Sequence, residues 1–329
     1  MYFCRLLAMT MAGVCSCWTM ARTKVYIAKY KDNKPAAVSY TFDDGLLEQY
    51  TELFPVLKQL GLKASFCING NTINRNERQL AQGGSDSLVI KKPRMTWAMI
   101  KEMSDQGQEI SSHGWAHINV NKISGEALRY EVQHNDTVIF QHTGVFPRTF
   151  FYPGNAKSPE KIAFCSRDRV GTRTRQISIG SKRSPEWLHQ WVRGLIKNGE
   201  WGIGMTHGIS RGYDHFRNPQ ILFDHLADVA QLQDSIWVGT FHDVSAYVRE
   251  RDSVNIFVKE KRHAIIVKPE TRLDLHIFDY PLTLVVETPV DEARYKDGTS
   301  AIVSIDGNRS LINFLPAKGT LTIKKKSSK

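Results

Sequence analysis

The chain has 329 residues, enough to bury more than one core, so one large domain plus a small one is the expectation. With 41% hydrophobic and 23% charged residues, the composition is that of an ordinary globular protein and excludes a collagen-like or disordered chain. The net charge of +11 favours acidic partners or an anionic surface, but no nucleic-acid-reading motif accompanies it, and nucleic acid is set aside as a partner.

Residues 1–21 read as a targeting segment. Arg5 precedes an apolar stretch, Leu6 to Ala21, that is shorter than the ~20 residues of a membrane span. A positive residue, a short apolar run and the small residues Thr19 and Ala21 near a cleavage point are the pattern of a secretory signal peptide. Val14-Cys15-Ser16-Cys17 also loosely resembles a bacterial lipoprotein box, with Cys17 as the acylated residue. The expected location is therefore secreted, periplasmic or cell-surface, with membrane attachment only through an N-terminal lipid. Only Cys67 and Cys165 would remain in a mature chain, which is no disulfide framework.

The larger domain is expected over residues 22–251, and from Pro35 to Arg251 short apolar runs alternate with helical periodicity. Ala36 to Phe42 reads as a strand. Leu47, Tyr50, Phe54, Leu57 and Leu60 share one helical face, with Pro55 as a possible kink and Gly61 as the end. A strand follows from Lys63 to Ile68, then a polar loop containing Gly83 and Gly84. Thr96 caps a helix that stops at Gly107. Glu109 to Ser112 is a strand leading into His113, and Ser124 begins a helix ending near Gly144. Strands are expected near Thr149 to Tyr152, Val170 to Thr172, Trp201 to Thr206 and Ile236 to Thr240. Helices are expected over Pro185 to Lys197 and Pro219 to Asp234. This alternation predicts an α/β domain of parallel βαβ units, a barrel or wound sheet, whose chemistry sits at the C-terminal strand ends.

Residues 252–329 differ in texture. Val254 to Val258, Ala264 to Val267, Leu273 to Ile277, Leu282 to Val286, Ala301 to Ile305 and Leu321 to Ile323 are short runs rich in β-branched residues. Asp297-Gly298, Asp306-Gly307 and Lys318-Gly319 punctuate them as turns. A small all-β domain, a sandwich, is expected, with a supporting rather than a sugar-binding role because no Trp follows Trp237. The lysines at 324, 325, 326 and 329 read as a solvated tail.

Two strings carry the chemistry. Asp43 and Asp44 end the first strand in Thr41-Phe42-Asp43-Asp44-Gly45, and His113 and His117 stand four apart in Ser112-His113-Gly114-Trp115-Ala116-His117. A spacing of four places both imidazoles on one face of a helical turn. Two imidazoles and one carboxylate make three protein ligands and leave a position for water, with a second carboxylate to spare as a base. Adjacent strand residues point to opposite faces, so both aspartates reach one site only if the chain turns sharply; Gly45 permits that turn. Residue chemistry alone does not order the two carboxylates.

These strings, with Met205-Thr206-His207, resemble the polysaccharide deacetylase family, carbohydrate esterase family 4 or the NodB homology domain, over roughly Ala36 to Arg251. The resemblance implies a distorted (β/α) barrel and a divalent metal, most often Zn2+, with Co2+ or Ni2+ also suited to a His2Asp set. It implies a hydrolase that removes acetyl groups, by amide or ester cleavage, from an acetylated polysaccharide or oligosaccharide. By position, Asp43 resembles the catalytic base, Asp44, His113 and His117 the ligands, and His207 the general acid. A xylan-type O-acetyl esterase, a hydrolase of other linear amides, or a non-catalytic glycan binder retaining the metal site are the rival readings.

One family motif departs from its usual form. Phe151-Tyr152-Pro153-Gly154 stands where Arg-x-Pro-Tyr is usual, so the arginine that orients the base is replaced by Phe151. Arg173 or Arg175, at another strand end, is the expected substitute. Tyr152 and Gly154 are the substrate or oxyanion positions, Gly154 through its backbone N–H. Asp214 and Asp243 are candidate partners for the acid histidine.

Overall fold

The computed structural model describes residues 22–83 and 93–326. Residues 1–21, expected to be a targeting segment with Cys17, and Gly84 and Lys329 lie outside these residues. Among the described residues no helix is long and apolar enough to cross a membrane.

In chain order the strands are β1 (Val25–Ile27), β2 (Ala36–Asp43), β3 (Ser65–Ile68), β4 (Glu109–Ser112), β5 (Thr149–Phe151), β6 (Gly171–Arg173), β7 (Ile177–Ser178), β8 (Trp201–Thr206) and β9 (Ile236–Val238). They continue as β10 (Asn255–Glu260), β11 (Ala264–Glu270), β12 (Leu282–Val286), β13 (Val290–Tyr295), β14 (Ile302–Asp306), β15 (Arg309–Phe314) and β16 (Leu321–Lys325). β2 to β9 form one parallel sheet in the order β6-β5-β4-β3-β2-β8-β7, with β9 also paired to β2. The sheet curls into a barrel left open between β6 and β7, the expected distorted (β/α) architecture.

β2 is buried along its whole length, and its two faces differ. Val38, Tyr40 and Phe42 point outward into the main apolar core, among Leu53, Leu57, Leu188, Leu222 and Leu226 of the surrounding helices. Ser39, Thr41 and Asp43 line the inner face. Thr41 Oγ1 donates to the Gly204 carbonyl at 2.9 Å, and Trp201 Nε1 donates to Ser39 Oγ at 3.1 Å. The barrel interior is thus partly polar, with each buried hydroxyl paired, as burial requires.

The helices follow the sequence pattern with informative exceptions. The helix over Phe54–Leu60 carries Pro55 in its first turn, where the missing N–H costs nothing, and a wider turn over Gln49–Leu53 precedes it. Gly61 closes it at φ 66°. Thr96 caps the helix Trp97–Asp105 by accepting from Met99 N at 3.3 Å. A helix over Gly70–Ala81 occupies most of the segment expected to be a polar loop. Its apolar face is thin, with Ile73 alone as a buried large residue, so periodicity concealed it. Tertiary bonds hold it: Gly70 N donates to Asn135 Oδ1 at 2.9 Å, and Asn76 Nδ2 to the Arg94 carbonyl at 3.1 Å.

The remaining strands form a sandwich of two antiparallel four-stranded sheets, β1-β12-β15-β14 and β10-β11-β16-β13. Leu273 to Ile277, expected as a strand, is instead a turn: the Asp274 carbonyl accepts from Ile277 N and Phe278 N, and its carboxylate from His276 N. β13 and β15 fall outside the expected runs. Val25 to Ile27 pair with β12, so these residues belong to the sandwich although they precede the barrel, against the division at 251. The helix Phe241–Ser253 joins the two units. Its Tyr247 packs in the sandwich core and donates its hydroxyl to the Ala28 carbonyl at 2.9 Å.

Candidate metal and catalytic site

The site forms at the C-terminal end of β2. Asp43 ends the strand facing the barrel interior, and Asp44 and Gly45 adopt left-handed conformations at φ 78° and 63°. The reversal begins at Asp44, one residue before the glycine expected to supply it. It swings the Asp44 carboxylate to the side of the sheet that Asp43 already faces. An aspartate in this region is tolerated but strained. Arg94 supports it, with Nη1 donating to the Asp44 carbonyl and lying 3.7 Å from Oδ2.

His113 follows β4 and is buried. Its Nδ1 lies 2.7 Å from the Phe151 carbonyl, so the proton sits on Nδ1 and Nε2 is left as an electron-pair donor. His117 is not one helical turn further on. Residues 113–119 form a loop in which Gly114 has φ 75° and His117 φ 59°. The spacing of four therefore brings the rings together through a loop and not along a helix. Glu131 shapes it: its carboxylate accepts from Ala116 N at 3.1 Å and from Ile118 N at 2.9 Å. A side chain at Gly114 would meet Glu131 Oε1 at 2.5 Å. Asn69 Nδ2 secures the start of the loop by donating to the carbonyl of Gly114 at 3.1 Å and to that of His113.

Asp44 Oδ1 stands 3.7 Å from His113 Nε2 and 3.6 Å from His117 Nε2, and the three donor atoms lie within 4.8 Å of one another. Asp44 Oδ1 is buried with no hydrogen-bond partner. A buried carboxylate oxygen is costly without a partner, and here it faces the His113 Nε2 lone pair and the His117 ring. A divalent cation would satisfy all three donors, so the set fits such an ion. Burial lowers the His113 pKa to about 4, against the opposing pull of Asp43 and Asp44, which keeps the imidazole neutral near pH 7. Burial would raise the Asp44 carboxyl, but His113, Arg94 and His117 outweigh it and hold the group below its ordinary range.

Asp43 lies behind this set, its Oδ2 3.9 Å from His113 Nε2. Arg173, on β6, takes it in a two-pronged grip: Nη1 donates to Oδ1 at 2.7 Å and Nη2 to Oδ2 at 2.5 Å. Nη1 also donates to Thr41 Oγ1 at 2.8 Å. Phe151 pairs with Arg173 in register, and its ring lies 4.2 Å from the guanidinium carbon. The position expected to hold an arginine thus supplies a ring for an arginine arriving from the next strand. Burial would raise the Asp43 carboxyl, but Arg173 overrides it and keeps the group ionised far below the ordinary range. Cys67 completes the shell, its thiol 3.1 Å from Asp43 Oδ1 and held protonated chiefly by burial. Arg175 does not reach the site; its Nη2 lies 3.5 Å from the Trp201 carbonyl.

His207 follows β8 and lines a pocket with Asp44, Glu48, Arg211 and Tyr213. Gln49 Nε2 ties the two strand ends, donating to the carbonyls of Asp43 at 2.7 Å and His207 at 2.9 Å. His207 Nδ1 is buried without a partner, so neither expected carboxylate orients it. Asp214 accepts from Ser178 and Ser181, and Asp243 pairs with His242 at 3.1 Å. Gly154 follows β5 at φ 62° with open space around its Cα. The Tyr152 side chain, expected toward substrate, is buried among Val120, Leu128 and Phe150 and donates to Thr172 Oγ1. Alternation along β5 explains this: Phe151 faces the barrel interior, so its neighbours face outward. Sequence reasoning missed Arg94, Gln49 and Glu131, for which no local pattern exists.

The curled parallel barrel brings together an Asp-His-His group that could hold a metal ion and a second aspartate at the same strand ends. The family model described as "Polysaccharide deacetylase" matches residues 30–166. Over 131 residues it is 28% identical to the peptidoglycan-N-acetylglucosamine deacetylase PgdA of Listeria monocytogenes, covering 40% of this chain and 23% of that one. Over 140 residues it is 25% identical to the chitin deacetylase of Colletotrichum lindemuthianum, covering 42% and 50%. Over 355 residues it is 24% identical to a gellan lyase of Bacillus sp, covering 93% and 13%. The chain spans half or less of the length of these relatives. A solved carbohydrate esterase family 4 pseudoenzyme from Bacillus anthracis superposes with a TM-score of 0.48 at 19% identity, covering 65% of this chain and 66% of that one.

Proposed function

We propose that the chain is a metal-dependent deacetylase that hydrolyses acetyl groups from a polysaccharide. The observation that carries this reading is the convergence of Asp44, His113 and His117 in front of a buried, arginine-held Asp43. Asp44 Oδ1, His113 Nε2 and His117 Nε2 would hold the ion, with Zn2+ the best match and Co2+ or Ni2+ also suited to the donor set. Such an ion would supply Lewis acidity and would lower the pKa of a bound water.

The protein's own groups do the rest. Asp43, kept ionised and aimed by the Arg173 fork, accepts a proton from the attacking water. Its two oxygens are fixed by two hydrogen bonds, so little reorganisation precedes the transfer. The Gly154 N–H is assigned as the oxyanion donor, a role supported by the open space beside its Cα after β5. His207 delivers the proton to the departing amine or alcohol. The departure at Phe151 does not favour a merely binding protein, because Arg173 provides the charge from β6.

The test joins metal analysis to an acetate-release screen over glycans carrying N-acetyl and O-acetyl groups in parallel. The expected result is about one divalent ion per chain and acetate release that chelation abolishes. The N-acetyl and O-acetyl arms separate a deacetylase of amino sugars from an esterase. Tight glycan binding with no acetate release from any metal-replete sample would overturn the reading.

A further inference from the structure

Resting on that reading, we infer that the substrate is an acidic glycan, and that a cationic cavity beside the active site binds its carboxylate or phosphate groups. The loop 207–219 after β8 forms a wall shared by two hollows. On one side His207, Arg211 and Tyr213 line the pocket that holds Asp44. On the other, Phe216 and Arg217 line a second cavity with Lys182, Arg183 and Ser184, from the loop that follows β7. The segments 179–184 and 207–219 carry Lys182, Arg183, Arg211 and Arg217 against a single acid, Asp214.

That acid does not neutralise the cavity. The Asp214 carboxylate accepts from Ser178 Oγ at 2.7 Å and from Ser181 Oγ at 3.3 Å. Among the described residues, Lys182, Arg183 and Arg217 have no ion-pair partner within 4.0 Å. Arg183 is pre-positioned: its Nε donates to the Ser178 carbonyl at 3.0 Å, and its guanidinium stacks 3.8 Å over the Trp187 ring. Lys182 and Arg217 are exposed. The helix Pro185–Asn198 begins at the same cavity, but Pro185 has no N–H and Trp187 N already donates to Ser184 Oγ at 3.2 Å, so the cations and not the helix end carry the anion site. Glu186, in the first turn, is the opposing charge there, and it is fully exposed. On the pocket side, Arg211 lies 3.6 Å from Glu48, whose carboxylate is already occupied by Ile209 N and Ser210.

A polysaccharide threading past His207 therefore meets an exposed tyrosine ring, stacked edge-on against His207 at 4.9 Å, and then a group of unpaired cations. Tyrosine suits a sugar face, and the cations suit an acidic substituent on the same or the next residue. The net charge of +11 attracts such a polymer over longer range.

The test measures binding of the full chain by calorimetry at low and high salt. The ligands are acetylated polygalacturonate, a phosphate-substituted acetylated glycan and neutral acetylxylan. One or both charged glycans are expected to bind on the order of tenfold more tightly than acetylxylan at low salt, with the preference fading at high salt. The two charged arms tell carboxylate from phosphate. The K182A/R217A double variant is expected to lose the preference while keeping its affinity for acetylxylan and its melting temperature. Equal affinity for charged and neutral glycans, or a preference that survives in the double variant, overturns the proposal. Binding is read without turnover, so failure of acetate release counts against the deacetylase reading alone.

Discussion

Asp43 and Arg173 form the most consequential pair in the molecule. Both are almost fully buried, and each would be costly alone. Removing one partner of such a pair destabilises by about 3–5 kcal/mol. Arg173→Ala is accordingly expected to lower the melting temperature and to cut kcat at least about a hundredfold, since the base loses its aim. Arg173→Lys keeps the charge without the fork and should fall between. Arg175→Ala, whose side chain lies elsewhere, should turn over normally; the measurement is acetate release at saturating substrate, alongside metal content. Asp43→Asn separates base from ligand: metal content by elemental analysis should stay at the wild-type level while turnover falls by about a hundredfold or more. Equal loss of both would contradict the base assignment. Part of this arrangement was legible in advance. Asp43, Asp44, His113 and His117 lie in close-set strings, and the lack of an arginine at Phe151 left Arg173 or Arg175 as the expected substitute, between which only the fold chose. Arg94 was not legible, because its contact with Asp44 is made across 50 positions of chain and follows no motif.

At the scale of elements, the loop 113–119 is positioned by a helix that follows it. Glu131 gives its carboxylate to the loop's backbone N–H groups, and Trp115 N donates to the Glu131 carbonyl at 2.7 Å. Glu131→Ala would leave those N–H groups unpaired and free His117 to swing. Metal affinity is expected to fall about 10–100-fold, the usual effect of losing an outer-shell support, in a competition titration with a chelator. The helix Phe241–Ser253 carries a different device. Glu250 is buried where the barrel meets the sandwich and accepts from Tyr280 N at 2.8 Å. Burial raises its carboxyl to about 7. The folded chain thus holds this proton more tightly than the unfolded one. The stabilising contribution is full below the ordinary carboxylate range and is lost as pH rises through about 7. Glu250→Gln, neutral at every pH, should melt higher than wild type at pH 8, by up to about 3 kcal/mol in stability, and match it near pH 4. Calorimetric melts of both proteins across that range check the difference.

At the scale of the whole molecule, the chain's first strand closes its last domain. β1 pairs with β12, Ala28 receives the Tyr247 hydroxyl, and Tyr247 sits in the sandwich core with Leu282, Leu284 and Phe314. Truncation after Ser253 strands β1 and exposes Tyr247 and Trp237. A chain ending there is expected to melt markedly lower and to bind a hydrophobic dye, whereas separable domains would leave the barrel's melting unchanged. The β-branched texture after 251 announced the sandwich, but not that a short run near Val25 completes it. A three-residue strand is too short to carry a periodic signal, and its identity comes only from the partner it meets.

The alternation of strands and helices from β2 to β9, the β-branched texture of the last domain and the two short strings that hold Asp43, Asp44, His113 and His117 were legible in the sequence itself. Each depends on local pattern: apolar alternation, capping residues, and charged or imidazole groups packed into short strings. Tertiary structure alone decided which aspartate faces the imidazoles, which arginine grips the other, and that a loop rather than a helix joins His113 to His117. Those outcomes turn on left-handed residues at Asp44, Gly114 and His117 and on contacts between β2 and β6. Such contacts form only when distant segments are packed together, so no window along the chain contains them.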